Sequence, residues 1–468
     1  MKVITRFAPS PTGNLHIGNI RTALYSWLFA KKNNGKFILR IEDTDVKRSK
    51  KIFIENITKT LKWLNINWDE GPYLQSQRFK KHNIFIDKML SSGHVYKCFC
   101  TKEELANQKQ EQISKKKKIR YNGKCRNLNN LVNNTKPYVI RFRIPDKGFI
   151  TFIDKIRGKI IVYNNELDDF IIKRTDGTLT YNFCVVLDDL DMNITHIIRG
   201  EEHINNTPKQ IHIINAIGAK IPIYAHVSMI TDKFKKKISK RYHSINILEY
   251  KKNGYLPEAL LNYILRLGWS YGNKEIFSLE EMKKLFNLKN LNKSPSIFNI
   301  DKLNWLNRYY LNKLPEKYMV NYLTKFCQQK NINTHNGPKI KNLYKIFSNR
   351  CNTLNEINNL CYIFYMDPIY SKNILIKQYL NLKNKIILKK LLKKFKLIHL
   401  WSVKNINLIV KEIMTELDIN LKNVIMPLRI AVTGKNNTPP ISSILFLMGQ
   451  NKVINHLKNA ISFIEFNN

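Results

Sequence analysis

The sequence predicts an α/β domain built on a parallel sheet, interrupted by an α+β insertion and followed by an all-α region. Three observations carry that expectation. A short apolar run, Val3–Phe7, leads through a Pro/Gly-rich turn, Ala8–Gly13, into helical apolar spacing at Ile20, Ala23, Leu24, Trp27 and Leu28. A second apolar run, Phe37–Ile41, ends at the acidic cluster Glu42–Asp45, which gives the β-α-β rhythm of a doubly wound sheet. Beyond residue 311 almost everything has helical spacing and is rich in Leu, Ile, Asn and Lys.

The first strand, turn and helix start form a cradle for an anion. Backbone N–H groups at a helix start have no partner in the helix, and the helix dipole favours negative charge there. His16 can donate a hydrogen bond to a phosphate oxygen. Gly18, without a Cβ, lets a flat nucleobase approach the backbone. The tetrapeptide His16–Asn19 alone reads more readily as a plain helix cap. A second motif strengthens the functional reading. After the apolar run Ile221–Val227, the segment Lys237-Ile238-Ser239-Lys240-Arg241 sets two ammonium groups around a serine. Compact mobile charges suit a departing pyrophosphate. By itself this run also reads as a solvated lysine stretch.

The sheet pattern fills residues 1–82 and returns over 189–235. Residues 83–188 break it with Cys98-Phe99-Cys100, a polar basic run (Asn107–Arg120) and β-rich stretches at Tyr138–Ile144 and Phe149–Ile153. This is the expected insertion, with the basic run as an exposed helix or loop. Helical spacing takes over in 236–310, as in Glu258–Leu265, and continues through 311–468 without a metal motif or glycine loop.

At 468 residues the chain is too long for one core. A net charge of +44 suits a polyanionic partner such as RNA. Lysine far outnumbers arginine, however, and Asn and Ile abound even in loops, the signature of AT-rich coding. Part of the charge is therefore compositional background, and the RNA inference has to rest on motifs. Seven unevenly spaced cysteines argue against a disulfide framework. No apolar run reaches membrane-spanning length, and the first residues lack a signal-peptide pattern. A cytoplasmic protein with no membrane partner is expected.

Seven segments together resemble the class I aminoacyl-tRNA synthetases, and among them the bacterial-type glutamyl-tRNA synthetases. They are RFAPSPTG (Arg6–Gly13), RIEDTD (Arg40–Asp45), WDEGP (Trp68–Pro72), ELDDFIIKRTDGTLTYNF (Glu166–Phe183), THIIRGEEHINNTP (Thr195–Pro208), KISKR (Lys237–Arg241) and GYLPEALLNYILRLGW (Gly254–Trp269). The resemblance runs over essentially the whole chain and is looser in the helical C-terminal part. It implies a Rossmann-type catalytic domain in two halves (1–82 and 189–235) and an inserted domain binding the tRNA acceptor end (83–188). A helical stem-contact domain with the KISKR loop (236–310) and a helical anticodon-binding region (311–468) complete it.

The implied activity is that of a glutamate–tRNA ligase. Glutamate is activated by ATP, with Mg2+, to glutamyl-adenylate and passed to the terminal adenosine of tRNA(Glu). The residues do not decide whether tRNA(Gln) is also charged. The resemblance makes His16, Lys237 and Lys240 catalytic and assigns ATP to Pro9, Ser10, Gly13, His16, Gly18, Asn19, Lys237, Ser239, Lys240 and Arg241. It assigns glutamate to Arg6, Ser10, Glu42, Tyr181 and Arg199. Two guanidinium groups suit the side-chain carboxylate, and Glu42 suits the α-ammonium. Arg350 stands where relatives set an arginine against an anticodon base. Relatives are typically monomers.

Zinc is the main departure from the family pattern. Many relatives carry Cys-x-Cys and then Cys-x-His, whereas this chain has Cys98-Phe99-Cys100 and Cys125-Arg126-Asn127. Asparagine is not a normal zinc ligand. Cys98, Cys100 and Cys125 are therefore expected to hold zinc only if a fourth ligand replaces Asn127. Two alternatives stay open. A glutaminyl-tRNA synthetase-like enzyme shares the first half but is expected to end in β-barrels. A non-catalytic, synthetase-derived RNA-binding protein would have no need of the intact set Arg6, His16, Gly18, Arg199, Lys237 and Lys240.

Overall fold

The computed structural model describes residues 2–45, 48–128, 136–236, 246–370 and 374–467. The chain forms two compact units, Met1–Lys251 with Pro257–Leu306, and Lys252–Leu256 with Asn307–Asn468.

The first unit opens with β1 (Ile4–Phe7), α1 (Ile17–Lys32), β2 (Lys36–Ile41), α2 (Lys51–Trp63) and β3 (Glu70–Leu74). The three strands are parallel and ordered β1-β2-β3. Next come α3 (Phe79–Ser91), β4 (Val95–Cys98), α4 (Lys102–Ser114), β5 (Val139–Phe142), β6 (Phe149–Asp154), β7 (Gly158–Tyr163) and β8 (Ile171–Lys173). Strands β4, β5 and β8 form a separate antiparallel sheet. Helix α5 (Tyr181–Asp191), β9 (His196–Gly200), α6 (Thr207–Ile217) and β10 (Ile223–Val227) restore the parallel pattern.

The second half-sheet has the order β7-β6-β10-β9, with β9, β10 and β6 parallel and β7 antiparallel at the edge. The hairpin β6–β7 falls in the stretch read from sequence as insertion, yet it lies beside β10. The two half-sheets meet at β1 and β9, where Thr195 N donates to the Ile4 carbonyl at 3.0 Å. Ile4 N in turn donates to Thr195 Oγ1 at 2.8 Å. The resulting order, β3-β2-β1-β9-β10-β6-β7, reverses direction at the β1/β9 seam. In doubly wound sheets ligands bind beyond the carboxyl ends of the strands at such a seam.

Sequence explains why these segments take these forms. Strand β2, KFILRI, is buried at every residue after Lys36, as an inner parallel strand requires. Helix α1 is buried on nearly every side, through Ile20, Ala23, Leu24, Tyr25, Trp27 and Leu28. One face meets the sheet. The other meets the helix α8 (Pro257–Arg266), which follows α7 (Ile247–Lys252). There the Tyr25 hydroxyl donates toward the Leu265 and Leu267 carbonyls, at 3.0 and 2.9 Å, and Arg21 Nη1 donates to Leu267 at 2.9 Å. Those carbonyls lie at the end of α8, where the helix supplies no partner. Helix α4 has no buried residue and starts at a Thr101–Glu104 capping box, so the first part of the basic run is a solvated helix.

The unit closes with α9 (Leu279–Leu285), and the chain passes into the second unit within α10 (Ile300–Lys313). The described residues of the second unit contain helices and no strand. They include α11 (Glu316–Gln329), α12 (Ile340–Phe347), α13 (Leu354–Tyr365), α14 (Ile374–Tyr379) and α15 (Leu382–Lys396). The last four are α16 (Val403–Leu417), α17 (Leu421–Thr433), α18 (Ile441–Met448) and α19 (Gln450–Asn467). Leu388, Leu391, Ile406, Ile413, Leu428 and Leu457 form part of its buried interior at helical spacing. Arg350 ends a short turn, Ser348–Arg350, and is exposed.

Entry into β2 depends on Gly35. A Cβ there would stand 2.1 Å from the Val3 carbonyl oxygen, which accepts the N–H of Lys36 at 2.9 Å. Gly35→Ala is expected to push β1 from β2 and cost about 3 kcal/mol. Thermal unfolding should show this as a fall of roughly 5–10 °C.

Candidate active site

A cavity of about 860 Å3 opens beyond the carboxyl ends of β1, β2 and β9. Nine of the residues assigned by sequence to ATP or glutamate line it: Arg6, Pro9, Ser10, Gly13, His16, Asn19, Glu42, Tyr181 and Arg199. The turn after β1 is tied to the end of β2 by Glu42 N donating to the Pro9 carbonyl at 3.0 Å. Residues Lys237, Ser239, Lys240 and Arg241 lie outside the described residues.

His16 is both cap and cavity wall. Its Nδ1 accepts the N–H groups of Gly18 and Asn19, at 3.1 and 3.4 Å, while Asn19 Oδ1 accepts the His16 N–H at 3.1 Å. An accepting Nδ1 leaves the ring proton on Nε2. The ring also explains Gly18, because a Cβ there would stand 3.0 Å from His16 Cε1. The space beside Gly18 is thus filled by imidazole, and Gly18 itself does not line the cavity.

A buried charge network underlies one side of the cavity. Arg6 Nε donates to Asp189 at 3.2 Å. Arg40, fully buried in β2, donates to Asp189 at 2.8 Å and Glu42 at 3.2 Å, and lies 3.8 Å from Asp188. Asp188 accepts from Gln75 at 2.7 Å, Arg78 at 2.6 Å and His82 at 2.8 Å. Burial alone would raise the Asp188 carboxyl. The bond from His82, the charge of Arg40 and the bond from Gln75 outweigh it and hold Asp188 below the usual carboxylate range. Glu42 goes the other way, pushed up by burial despite Arg40 and Arg6. Tyr181, at the first turn of α5, sets its hydroxyl 3.3 Å from His203 Nδ1.

Arg199 closes the other side. Its Nε donates to His226 Nε2 at 3.1 Å and its Nη2 to Thr207 Oγ1 at 2.8 Å. The guanidinium lies over the Tyr224 ring, 5.5 Å from its centroid. Its Nη1 is buried without a hydrogen-bond partner among the described residues. Sequence reading missed Arg40, Asp188, Asp189, Thr207 and His226. A charge or histidine inside an apolar run was the available signal, as in Phe-Ile-Leu-Arg-Ile, Val-Val-Leu-Asp-Asp-Leu and Ile-Tyr-Ala-His-Val. Such groups are buried only when partnered.

A second cluster lies beside β4. The sulfurs of Cys98, Cys100 and Cys125 lie within 4.8 Å of one another. The Tyr121 hydroxyl is 3.4 Å from the Cys98 sulfur and 3.6 Å from that of Cys100, and it accepts the Cys125 N–H at 2.8 Å. Asn127 points its amide oxygen to Arg143, at 3.4 Å. Sulfurs on a tetrahedral zinc stand about 3.8 Å apart, close to the 3.6 Å between Cys100 and Cys125. Three thiols and a phenol oxygen thus offer four donor atoms, none of them from Asn127.

Residues 2–305 match the family of class I tRNA synthetases (E and Q), catalytic domain, and residues 313–461 match an anticodon binding domain. The chain is 50% identical over 465 residues to the glutamate–tRNA ligase of Buchnera aphidicola subsp. Acyrthosiphon pisum (strain APS), covering 99% of this chain and 100% of the relative. It is 51% identical over 467 residues to that of Wigglesworthia glossinidia brevipalpis, covering 100% and 99%. Among solved structures, it is similar to a glutamate tRNA ligase from Elizabethkingia meningosepticum CCUG26117 in complex with its amino acid. That likeness has a TM-score of 0.81 at 30% identity and covers 99% of this chain and 100% of the other.

Removing one charge from the network leaves its partners buried and unmet. Asp188→Asn is expected to lose about 3–5 kcal/mol at neutral pH. Because Asp188 is depressed on folding, its contribution is complete above the unfolded value of about 3.9 and is lost as pH falls through the lower folded value. Thermal melts of wild type and variant should therefore converge below about pH 4.

Proposed function

The chain belongs to the class I tRNA synthetases of the glutamate and glutamine group, and from that membership we propose how its cavity works. The protein ligates glutamate to tRNA at the cost of ATP. The described part of the second unit is helical, as in the anticodon-binding family it matches, and has no β-barrel of the glutaminyl type.

One observation carries the placement of glutamate: two buried guanidiniums, Arg6 and Arg199, line one cavity with a buried carboxyl, Glu42. The guanidiniums suit the substrate's side-chain carboxylate and Glu42 its ammonium, with Tyr181 and Ser10 as hydrogen-bonding supports. An incoming cation also opposes the burial that pushes Glu42 up. Glutamine would leave a buried guanidinium unmatched, at roughly 1.5–3 kcal/mol.

In the first step an oxygen of the α-carboxylate attacks the α-phosphorus of ATP, the bond to the β-phosphate breaks and pyrophosphate leaves. In the second, a ribose hydroxyl of the terminal adenosine attacks the acyl carbon, loses its proton, and AMP departs. Neither step needs a protein nucleophile, so catalysis is positioning and charge stabilisation. His16 offers Nε2–H to the phosphates at the start of α1, where its Nδ1 takes the N–H groups of Gly18 and Asn19. Pro9, Ser10, Gly13 and Asn19 shape the ATP site, with Gly18 acting through the His16 cap. Lys237 and Lys240, with Ser239 and Arg241 between and beside them, neutralise the departing pyrophosphate. Mg2+ enters as part of the ATP substrate.

Residues 83–188 bind the acceptor end, 236–310 the stem, and 311–468 the anticodon, with Arg350 against a base. The enzyme acts as a monomer in the cytoplasm. Cys98, Cys100, Cys125 and Tyr121 suit a structural zinc, which would brace the insertion rather than take part in the chemistry.

ATP–pyrophosphate exchange in the presence of tRNA(Glu) should depend on glutamate and not glutamine. Arg6→Gln and Arg199→Gln should each raise the glutamate KM roughly ten- to a hundredfold. Lys240→Ala should lower kcat about a hundredfold. A folded sample that binds tRNA but exchanges with neither amino acid would leave only RNA binding. Metal analysis should find about one zinc per chain, lost in Cys125→Ser.

A further inference from the structure

Arg199 is gripped on two of its three nitrogens, and what grips it is itself fixed. A guanidinium has donors and no acceptor, so the His226 Nε2 that faces Arg199 Nε at 3.1 Å must carry a lone pair. The ring proton then sits on Nδ1 and is donated to Asp154 Oδ2 at 2.7 Å. That same oxygen accepts the backbone N–H of His226 at 3.0 Å, while Asp154 Oδ1 accepts the N–H groups of Ile156 and Arg157 at 2.9 and 2.8 Å. Four donors hold this carboxylate at the end of β6. It can therefore set both the tautomer and the tilt of the ring. His226 is fully buried and stacks on Tyr224, with ring planes 4° apart.

We propose that His226, backed by Asp154, is a positioning residue for glutamate: it takes the Nε–H of Arg199 and so turns the Nη1 edge of the guanidinium toward the substrate's side-chain carboxylate. With Nη2 given to Thr207, Nη1 is the buried donor left unmatched among the described residues. The proposal rests on the reading of Arg199 as a glutamate-binding residue. It also gives the hairpin β6–β7 a purpose in the site, since Asp154 reaches the cavity only through His226.

Only the neutral ring can serve. A proton on Nε2 would set N–H against N–H and place a second positive charge beside Arg199. The charged and titratable groups facing His226 are Asp154 and Arg157 from the β6–β7 turn, Arg199 from β9, His203 from the turn after β9, and Tyr224 from β10. Burial, Arg199 and Arg157 outweigh the carboxylate of Asp154 and hold His226 below the ordinary imidazole value. His203, pushed down to about 4 by burial and then by Arg199, is neutral at working pH as well.

Two near-isosteric variants separate this role from mere packing. In His226→Gln the amide oxygen can take the place of Nε2 and keep an acceptor for Arg199. In His226→Asn the amide can take the place of Nδ1 and keep the bond to Asp154, but Arg199 loses its acceptor. Each variant loses one side of the ring: Gln loses Asp154, and Asn loses the acceptor that faces Arg199 Nε and Thr207 Oγ1, while the Thr207 hydroxyl keeps the His203 carbonyl, so a structural role would not favour Gln. In exchange assays with tRNA(Glu), His226→Asn is expected to raise the glutamate KM roughly tenfold with the ATP KM unchanged. His226→Gln should restore most of that loss. Equal effects of the two variants, or an effect on kcat alone, would overturn the proposal. Arg199→Gln separates the premise: a normal glutamate KM there defeats the glutamate reading itself. A raised KM there with a normal one in His226→Asn defeats only the positioning role. Should neither histidine variant fold, 15N NMR of the wild-type ring decides. The Nδ1–H tautomer is expected at neutral pH, and an Nε2–H tautomer would refute the arrangement.

Discussion

Arg40 is the last residue but one of β2 and has no access to water, so its charge has to be met inside the protein. Asp189 and Glu42 meet it directly, and Asp188 stands behind them. Asp188 and Asp189 belong to α5, whose first turn carries Tyr181 to the cavity, while Glu42 follows β2 at the cavity wall. Asp189 also takes the Nε of Arg6, at the end of β1. One buried group thus fixes β1, β2 and α5 against one another at the point where their ends frame the cavity. Buried ion pairs are a weak source of net stability, because desolvation costs nearly as much as attraction returns. Their value here is directional: each guanidinium is left with a defined edge.

The same logic governs the other half of the sheet through different chemistry. Arg199 leans on a neutral imidazole and a hydroxyl instead of carboxylates. A carboxylate in direct contact would neutralise the guanidinium, which the proposed function sets against a substrate carboxylate. A neutral acceptor fixes its direction and leaves its charge available. The negative charge stands one ring further back, on Asp154. Arg6 and Arg199 differ in this respect: Arg6 shares its charge with Asp189, whereas Arg199 has a neutral imidazole and a hydroxyl as its side-chain partners.

Much of this was legible in sequence where local pattern carries it. Strand, turn and helix at 3–28 emerge as β1 and α1, and the ATP and glutamate residues named there, apart from Gly18, line the cavity. The helical tail follows from apolar spacing alone. What sequence reading missed are partners far apart in the chain: Asp189 is 183 residues from Arg6, and His226 is 72 from Asp154. No local periodicity links such pairs. A lone histidine in an apolar strand is ordinarily a satisfied core residue, and His226 satisfies that description as well as the functional one. Gly18 shows the converse. Its smallness was assigned to an incoming base, but the neighbour that needs the space is His16, two residues away.

Composition helps to separate site from background. The chain has 79 basic residues against 35 acidic ones, so carboxylates are scarce. If the site's cations were part of the general excess, they would resemble the rest, lysines with exposed ends meeting a nearby acid. Lys59 with Glu55 and Lys115 with Glu111 are of that kind, and exposed pairs contribute little. Arg6, Arg40 and Arg199 are instead almost fully buried: Asp189, Glu42 and Asp188 meet the first two, and Asp154 backs the third through His226. Drift toward AT-rich codons favours lysine and cannot supply this arrangement. Burying a carboxylate in so basic a chain forgoes one of few surface counter-charges and adds a desolvation cost. Selection for a fixed guanidinium geometry accounts for both, and a site that merely attracted polyanions would need neither.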